Sequence, residues 1–200
     1  MRRVLWGLAA VVLVTSVALV FVRGMGISAR REPIRLEAGA AQAAWRFLIP
    51  REVRQATNPV PSTPEVLRNA LEHFADHCAS CHGNSGSGDT PIGRRVYPPV
   101  PDMREAPTQS LTDGELFYAI EQGIPWTAMP AWGNGTPEGE RESWALVRFI
   151  RHLPALTPAE LTEMERLNPR SPAAIKRDQD IDDFLRGTGP APKAEGHPHE

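Results

Sequence analysis

Two cysteines and a histidine form the most chemically specific pattern in this sequence: Cys78, Cys81 and His82 have the spacing Cys-x-x-Cys-His. The chain contains no other cysteine. Three kinds of chemistry use such a spacing: covalent attachment of haem with the histidine on the iron, coordination of zinc, and dithiol redox exchange. The pattern therefore predicts a cofactor or metal site on one short segment.

The surrounding sequence favours haem over the other two possibilities. Zinc would need two further ligands, and His73 or His77 together with His82 would be cramped on a single segment. A thioredoxin-like motif would need a preceding strand, whereas the residues before Cys78 have a helical pattern. A helical turn places the two thiols on one side, where each can bond a vinyl group, and points the next imidazole at the iron.

The helix that leads into this motif is signalled at its start and along one face. Thr63 is a candidate N-cap, Pro64 suits the first helical position, and the charge of Glu65 is favourable at the amino end of a helix. An apolar stripe with a spacing of four residues follows. Its members are Val66, Ala70, Phe74 and Cys78.

Two more helices are predicted after the motif. Thr112 and Glu115 have the spacing of a capping box, and Gly123 suits the end of the helix that they begin. A third pattern runs from about 137 to 153 and is stopped by Pro154. Because no alternating strand pattern of useful length occurs, we predict an all-α fold.

An apolar run from Val4 to Val22 follows two arginines and is closed by Arg23. It is long enough to cross a bilayer and longer than the apolar region of most cleaved signal peptides. We therefore expect residues 1–23 to be an uncleaved membrane anchor, with a cleaved signal as the alternative. The arginines that follow the run would favour the cytoplasmic side by the positive-inside rule.

The rest of the chain divides by pattern. Residues 24–62 lack a sustained apolar face and are predicted to be a linker, with a possible short helix at 38–48 and a stiff proline-rich spacer at 58–64. Residues 63–156 form the predicted domain, and 157–200 an extension that is partly helical and then disordered. With a net charge of −2 and no basic cluster, the chain is not expected to bind nucleic acid.

Residues from about 63 to 153 resemble a class I, mono-haem cytochrome c domain of the membrane-anchored bacterial type. The resemblance rests on Phe74, on the run Cys78–Gly83, on the run Gly123–Trp132, and on a closing helix with Trp144 and Phe149. It implies a compact helical fold around one covalent haem c, in which the first and last helices of the domain cross near Ala70, where many members have glycine.

The same resemblance implies which residues hold the haem. Cys78 and Cys81 would attach it, and His82 and Met129 would be the axial ligands of the iron. Met129 is followed by a proline, as in the family, and Met103 is the reserve candidate. Secondary roles are also implied. The carbonyl of Pro98 or Pro99 would bond the free nitrogen of the histidine, and the haem propionates have four candidate donors: Arg94, Arg95, Trp126 and Trp132.

The implied function is that of a single-electron carrier and not of an enzyme. It would be a single-pass protein of the cytoplasmic membrane, with its haem domain in the periplasm because the family acquires haem on the outer side. We give this argument more weight than the arginine count. Redox proteins would be its donor and acceptor. The alternatives are a subunit of a larger oxidase or dehydrogenase complex, or a haem-based sensor or enzyme with an open sixth position.

Other polar features are expected to have lesser roles. The run Gly83–Asp89 is predicted to be a flexible loop whose glycines let the backbone pass close to the haem edge. The three histidines at 73, 77 and 152 are predicted to be solvated helix positions. His197 and His199 fall in a polar tail that we expect to be disordered.

Overall fold

The computed structural model describes residues 2–26, 28–169 and 180–190, and within these residues it is helical and contains no strand. The predicted all-α fold is confirmed. The helices are α1 (Arg2–Met25), α2 (Arg35–Leu48), α3 (Arg51–Arg54), α4 (Pro64–His73), α5 (Ala79–His82), α6 (Ala106–Gln109), α7 (Asp113–Gln122), α8 (Pro137–His152) and α9 (Pro158–Leu167). A π-helical turn, Phe74–Cys78, joins α4 to α5, and a further helical stretch covers 180–185.

Helix α1 contains the apolar run found in the sequence. Over Arg2–Gly24 it is long and apolar enough to cross a membrane, and none of its most apolar stretch is buried within the protein. A fully exposed apolar helix needs a non-aqueous environment on all sides. The helix is therefore compatible with single-pass membrane anchoring.

Side-chain caps fix the starts of four later helices, including α8, where the hydroxyl of Thr136 accepts from the N–H of Gly139. The hydroxyl of Thr63 accepts a hydrogen bond from a backbone N–H in the first turn of α4. At α7, Thr112 and Glu115 form the predicted capping box, with N···O distances of 2.8 and 3.1 Å. Thr157 and Glu160 repeat this arrangement at α9. Each cap satisfies backbone donors that the first turn of a helix leaves without partners.

The core of the domain lies where α4 and the π-helical turn pack against α8. The rings of Phe74 and Phe149 are almost completely buried, with centroids 5.1 Å apart. Trp144 stacks on Phe117 at 4.2 Å. Ala70 is 2% exposed, so the methyl group that replaces the glycine of the resembling family is accommodated in the core.

Packing extends beyond the amino end of the predicted 63–156 domain. Val60 is buried in the core, and its carbonyl accepts a 2.8 Å hydrogen bond from Arg148 of α8. The side chain of Asn58 donates to the carbonyl of Trp144 at 2.8 Å. The proline-rich spacer is thus bonded along α8 instead of standing away from the domain.

Packing also extends beyond the carboxyl end. Met164 of α9 is completely buried in the core. His152 is half-buried, and its Nε2 lies 2.8 Å from a carboxylate oxygen of Glu160, so its assignment as a solvated position is corrected. The tail histidines His197 and His199 lie outside the described residues.

Candidate functional site

The motif residues lie at the end of the helical segment that α4 begins. The N–H of Ala79 donates to the carbonyl of Phe74, five residues earlier, which is the hydrogen bond of a π-helical turn. This turn replaces the uninterrupted helix that the spacing of four predicted. One extra residue in the turn rotates the motif residues by about 100° around the helix axis, so the turn changes the direction in which the motif faces. Such turns are frequent at functional sites.

The imidazole of His82 is placed beside the aromatic core, with its ring centroid 6.4 Å from that of Phe74. Burial lowers the pKa of His82 to about 4, so the ring is neutral at physiological pH. Neutral imidazole is the form that coordinates a metal. Its Nδ1 is buried and has no hydrogen-bond partner among the described residues, Pro98 and Pro99 included. The hydrogen bond from this ring to the carbonyl of Pro98 or Pro99, which the resemblance implied, is therefore not formed at Nδ1 in this structure.

The two thiols are free and half-buried. Burial, and to a lesser extent the neighbouring Cys81, raises the pKa of Cys78 to about 12. A reactive redox dithiol has the opposite environment, because its thiolate is stabilised. Within the described part of the chain, no three His, Cys, Asp or Glu side chains cluster as a metal site. The dithiol and zinc interpretations therefore both lack structural support.

The loop after the motif is tied to the motif's own carbonyl groups. Thr90 donates its hydroxyl proton to the carbonyl of Cys81 at 3.0 Å and accepts the N–H of Gly93 at 2.8 Å. The N–H of Gly88 donates to the carbonyl of His82 at 2.8 Å. The prediction of a flexible loop is thus wrong, because these bonds hold it against the motif. The expected approach of its glycines to the haem edge stays a prediction; within the protein, a Cβ on Gly88 would overlap the backbone of Val100.

A second short loop positions Met129. The N–H of Met129 donates to the hydroxyl of Thr127 at 3.0 Å, and the N–H of Ile124 donates to the carbonyl of Met129 at 3.1 Å. The hydroxyl of Thr127 donates in turn to the carbonyl of Ile124 at 2.7 Å. Gly123 begins the loop with a φ of 67°, as expected for the residue after α7. Together with the bond from the Thr127 N–H to the Ile124 carbonyl, four hydrogen bonds within six residues fix the main chain at Met129.

The methionines differ in their surroundings. Met129 is half-buried, whereas Met103 and Met164 belong to the buried apolar core. The carbonyl of Met103 also accepts a 2.7 Å hydrogen bond from the side chain of Gln109, which joins its main chain to the end of α6. Met129 is therefore the candidate whose side chain is not already used to fill the core.

One aromatic contact connects the Met129 loop to the motif. The ring of Trp132 meets the ring of His77 edge-on, with centroids 5.9 Å apart and planes at 90°. Trp132 follows Met129 by three residues, and His77 directly precedes the first cysteine. Only a solvated helix position was predicted for His77. No local signal could have found this contact, because it joins residues that are 55 positions apart and depends on the tertiary fold.

The other candidate propionate donors are spread over the surface. Arg94 is exposed and pairs with Asp89 in the loop after the motif, and Arg95 is exposed beside it. Trp126 has 96% of its side chain exposed and a φ of 59°, which is uncommon for a residue other than glycine. Of the four candidates, Trp132 is the one that contacts the motif segment, through the ring of His77. The roles of all four as donors to the propionates stay predictions.

The helical fold, the motif and the loops fit those of a haem protein of the cytochrome c class. Residues 65–150 match the family model described as "Cytochrome C oxidase, cbb3-type, subunit III". This part of the chain is a c-type cytochrome domain. Its cofactor is covalently bound haem c, and its general function is haem-based electron transfer with redox partners.

Two glycines with nearly equal φ angles allow the cost of backbone strain to be measured apart from the cost of a close contact. Gly88 and Gly135 have φ values of +70° and +71°, but a Cβ at Gly135 would meet nothing within 4 Å. We expect Gly135→Ala to lower the free energy of unfolding by about 1–2 kcal/mol, the cost of the left-handed conformation. Gly88→Ala should cost clearly more, because the methyl group also displaces the chain at Val100. Urea unfolding in detergent, followed by circular dichroism, measures both. Equal losses would contradict the close approach.

Proposed function

We propose that the chain is a membrane-anchored carrier of single electrons with one haem c. In this proposal Cys78 and Cys81 would hold the haem through thioethers, and His82 and Met129 would ligate its iron. The bound haem would supply the reversible one-electron change of its iron. The observation that carries the proposal is the neutral, half-buried imidazole of His82, directly after two thiols on one helical turn.

The chain's own residues would have two tasks at this site. The π-helical turn and the bonds from Thr90 and Gly88 to the motif carbonyls would orient the imidazole and the thiols. The hydrogen-bonded loop at Met129 would present a thioether from a main chain that is already fixed. A preorganised ligand set needs little rearrangement when the charge of the iron changes, which favours rapid electron exchange.

A closed sixth position distinguishes a carrier from a ligand-binding sensor or an enzyme. The half-buried state of Met129 supports closure, because its side chain is not packed into the core as those of Met103 and Met164 are. A thioether opposite an imidazole raises the reduction potential and leaves no site for a small molecule. We therefore propose that electron transfer, and not catalysis, is the function.

The proposed location is the outer face of the cytoplasmic membrane, with α1 as the single span and the haem domain in the periplasm. The length and apolar character of α1 support the anchor. The periplasmic side rests on the outer-side haem attachment of the family that the domain resembles. Within this arrangement residues 63–156 are the proposed haem domain, 24–62 connect it to the anchor, and 157–200 extend it.

Membership of a larger oxidase is the second candidate function. It is favoured by one observation, the match of residues 65–150 to a family described as a subunit of a cytochrome oxidase. In that case the same haem would pass electrons within an assembly instead of between separate proteins.

Replacing Met129 tests the proposed ligand set. We expect Met129→Ala to keep its covalent haem and to lose the near-infrared sulfur-to-iron absorption band, because the thioether is gone. The reduced variant should bind carbon monoxide stoichiometrically, whereas the unchanged protein should not bind it. The reduction potential of the variant should be lower than that of the unchanged protein. Met103→Leu is the matched control and should keep the band. If the band survives in Met129→Ala, or is lost in Met103→Leu, the thioether ligand is Met103 and not Met129.

Mild detergent extraction separates the two candidate functions. A carrier should be purified alone, with its full absorption spectrum and rapid reduction by small electron donors. A subunit should be purified in stoichiometric amounts with other membrane proteins that carry their own haem or metal. Mass photometry of the purified material, together with its ratio of haem to protein, decides between them.

A further inference from the structure

Helix α2 carries an apolar stripe that nothing in the described structure covers. Leu36 and Phe47 are 79% and 85% exposed. At about 100° per residue, both lie with two alanines of α2 inside an arc of about 60° around the helix axis. Large exposed apolar side chains on one helix face indicate a contact surface. The stripe consists of Leu36, Ala40, Ala43 and Phe47.

The opposite side of α2 is bound to the haem domain. Trp45 lies about 160° around the axis from Phe47, and its Nε1 is buried. Arg46 forms two hydrogen bonds, of 2.8 and 3.2 Å, with the fully buried carboxylate of Glu115 in α7. A buried carboxylate needs such a partner, so this ion pair joins α2 to α7. The stripe consequently faces away from the domain.

A second bond joins α2 to the loop that follows the haem motif. The hydroxyl of Tyr97 donates to the carboxylate of Glu37, at the amino end of α2. The helix is therefore attached near both of its ends, through Glu37 and through Arg46. Any surface that receives the stripe would also fix the orientation of the haem domain.

Chain length and charge identify the bilayer as the occupant of the stripe. Only nine residues, 26–34, separate α1 from α2, and they span at most about 30 Å even when fully extended. Between positions 23 and 35 the sequence has one glutamate and four arginines: Arg23, Arg30, Arg31 and Arg35. An amphipathic helix flanked by arginines is typical of segments that lie in the interface of a membrane with anionic lipids.

We propose that α2 lies on the surface of an anionic bilayer, with the stripe against the acyl chains and the flanking arginines at the headgroups. The haem domain then has one fixed orientation above the membrane instead of moving freely on a tether. This goes beyond anchoring by α1, which requires no contact between α2 and lipid.

Two adjacent positions of α2 provide a matched test. Ala43 lies on the stripe and Gln42 lies about 100° away from it, and both are exposed. In the holoprotein the two native cysteines are consumed by the haem, so Ala43→Cys and Gln42→Cys each supply a single free thiol. Each variant is labelled with an environment-sensitive dye and incorporated in phosphatidylcholine vesicles with or without phosphatidylglycerol. Nitroxide-bearing lipid and aqueous iodide are the two quenchers.

We expect the dye at position 43 to emit at shorter wavelength and to be quenched several-fold more by the nitroxide lipid than the dye at position 42. Phosphatidylglycerol should increase this difference, and iodide should quench mainly position 42. Equal quenching at both positions would overturn the proposal. Shielding of position 43 from iodide without quenching by lipid would also overturn it, because a second copy or another protein would then cover the stripe.

The same samples report separately on the proposed function. The absorption spectrum shows whether the haem is bound, and flotation with the vesicles shows whether α1 anchors the chain. Loss of either would contradict the carrier or its anchor. An intact spectrum and intact flotation with equal quenching at positions 42 and 43 would contradict only the placement of α2.

Discussion

The contact between Phe74 and Phe149 fixes the direction in which the haem motif leaves the core, and the site depends on it. Phe74 is the first residue of the π-helical turn, and its ring packs at 5.1 Å against Phe149 of α8. Because Phe74 is held in this position, the turn that it begins gives the motif residues one direction relative to the core. His82 then comes to lie beside Phe74, where burial keeps its imidazole neutral. A helix that slipped by one residue would lose both the aromatic contact and the placement of the ring.

Hydrogen bonds to backbone groups position the two loops beside the motif and the helices that carry them. The loop after the motif is fixed through Thr90 to the carbonyl of Cys81, and the loop at Met129 is closed by its own hydrogen bonds. Arg151 likewise joins α8 to the start of α7, through the carbonyl of Leu111 and the carboxylate of Asp113. Such bonds fix main-chain positions without requiring a large apolar core. This suits a small domain whose interior must also accommodate a cofactor.

The sequence predicted those parts of the structure that depend on local chemistry. Capping residues such as Thr112 and Glu115 act within one turn, so their spacing identifies the start of α7 correctly. The π-helical turn was missed, because the spacing of four residues before Cys78 is also that of an ordinary α-helix. The burial of Met164 and the contact of His77 with Trp132 were missed as well, because each depends on tertiary packing. The ligand roles of Cys78, Cys81, His82 and Met129 stay predictions from the motif and from the resemblance of the domain.

Covalent attachment of haem at Cys78 and Cys81 is the claim on which the proposed electron transfer rests, and a denaturing gel tests it directly. The protein is produced together with haem-maturation machinery and is separated in denaturant before staining for haem. The unchanged chain should retain one haem through denaturation, and the double variant Cys78→Ala, Cys81→Ala should retain none. A colourless unchanged chain, or stain that persists in the double variant, would contradict attachment at this turn.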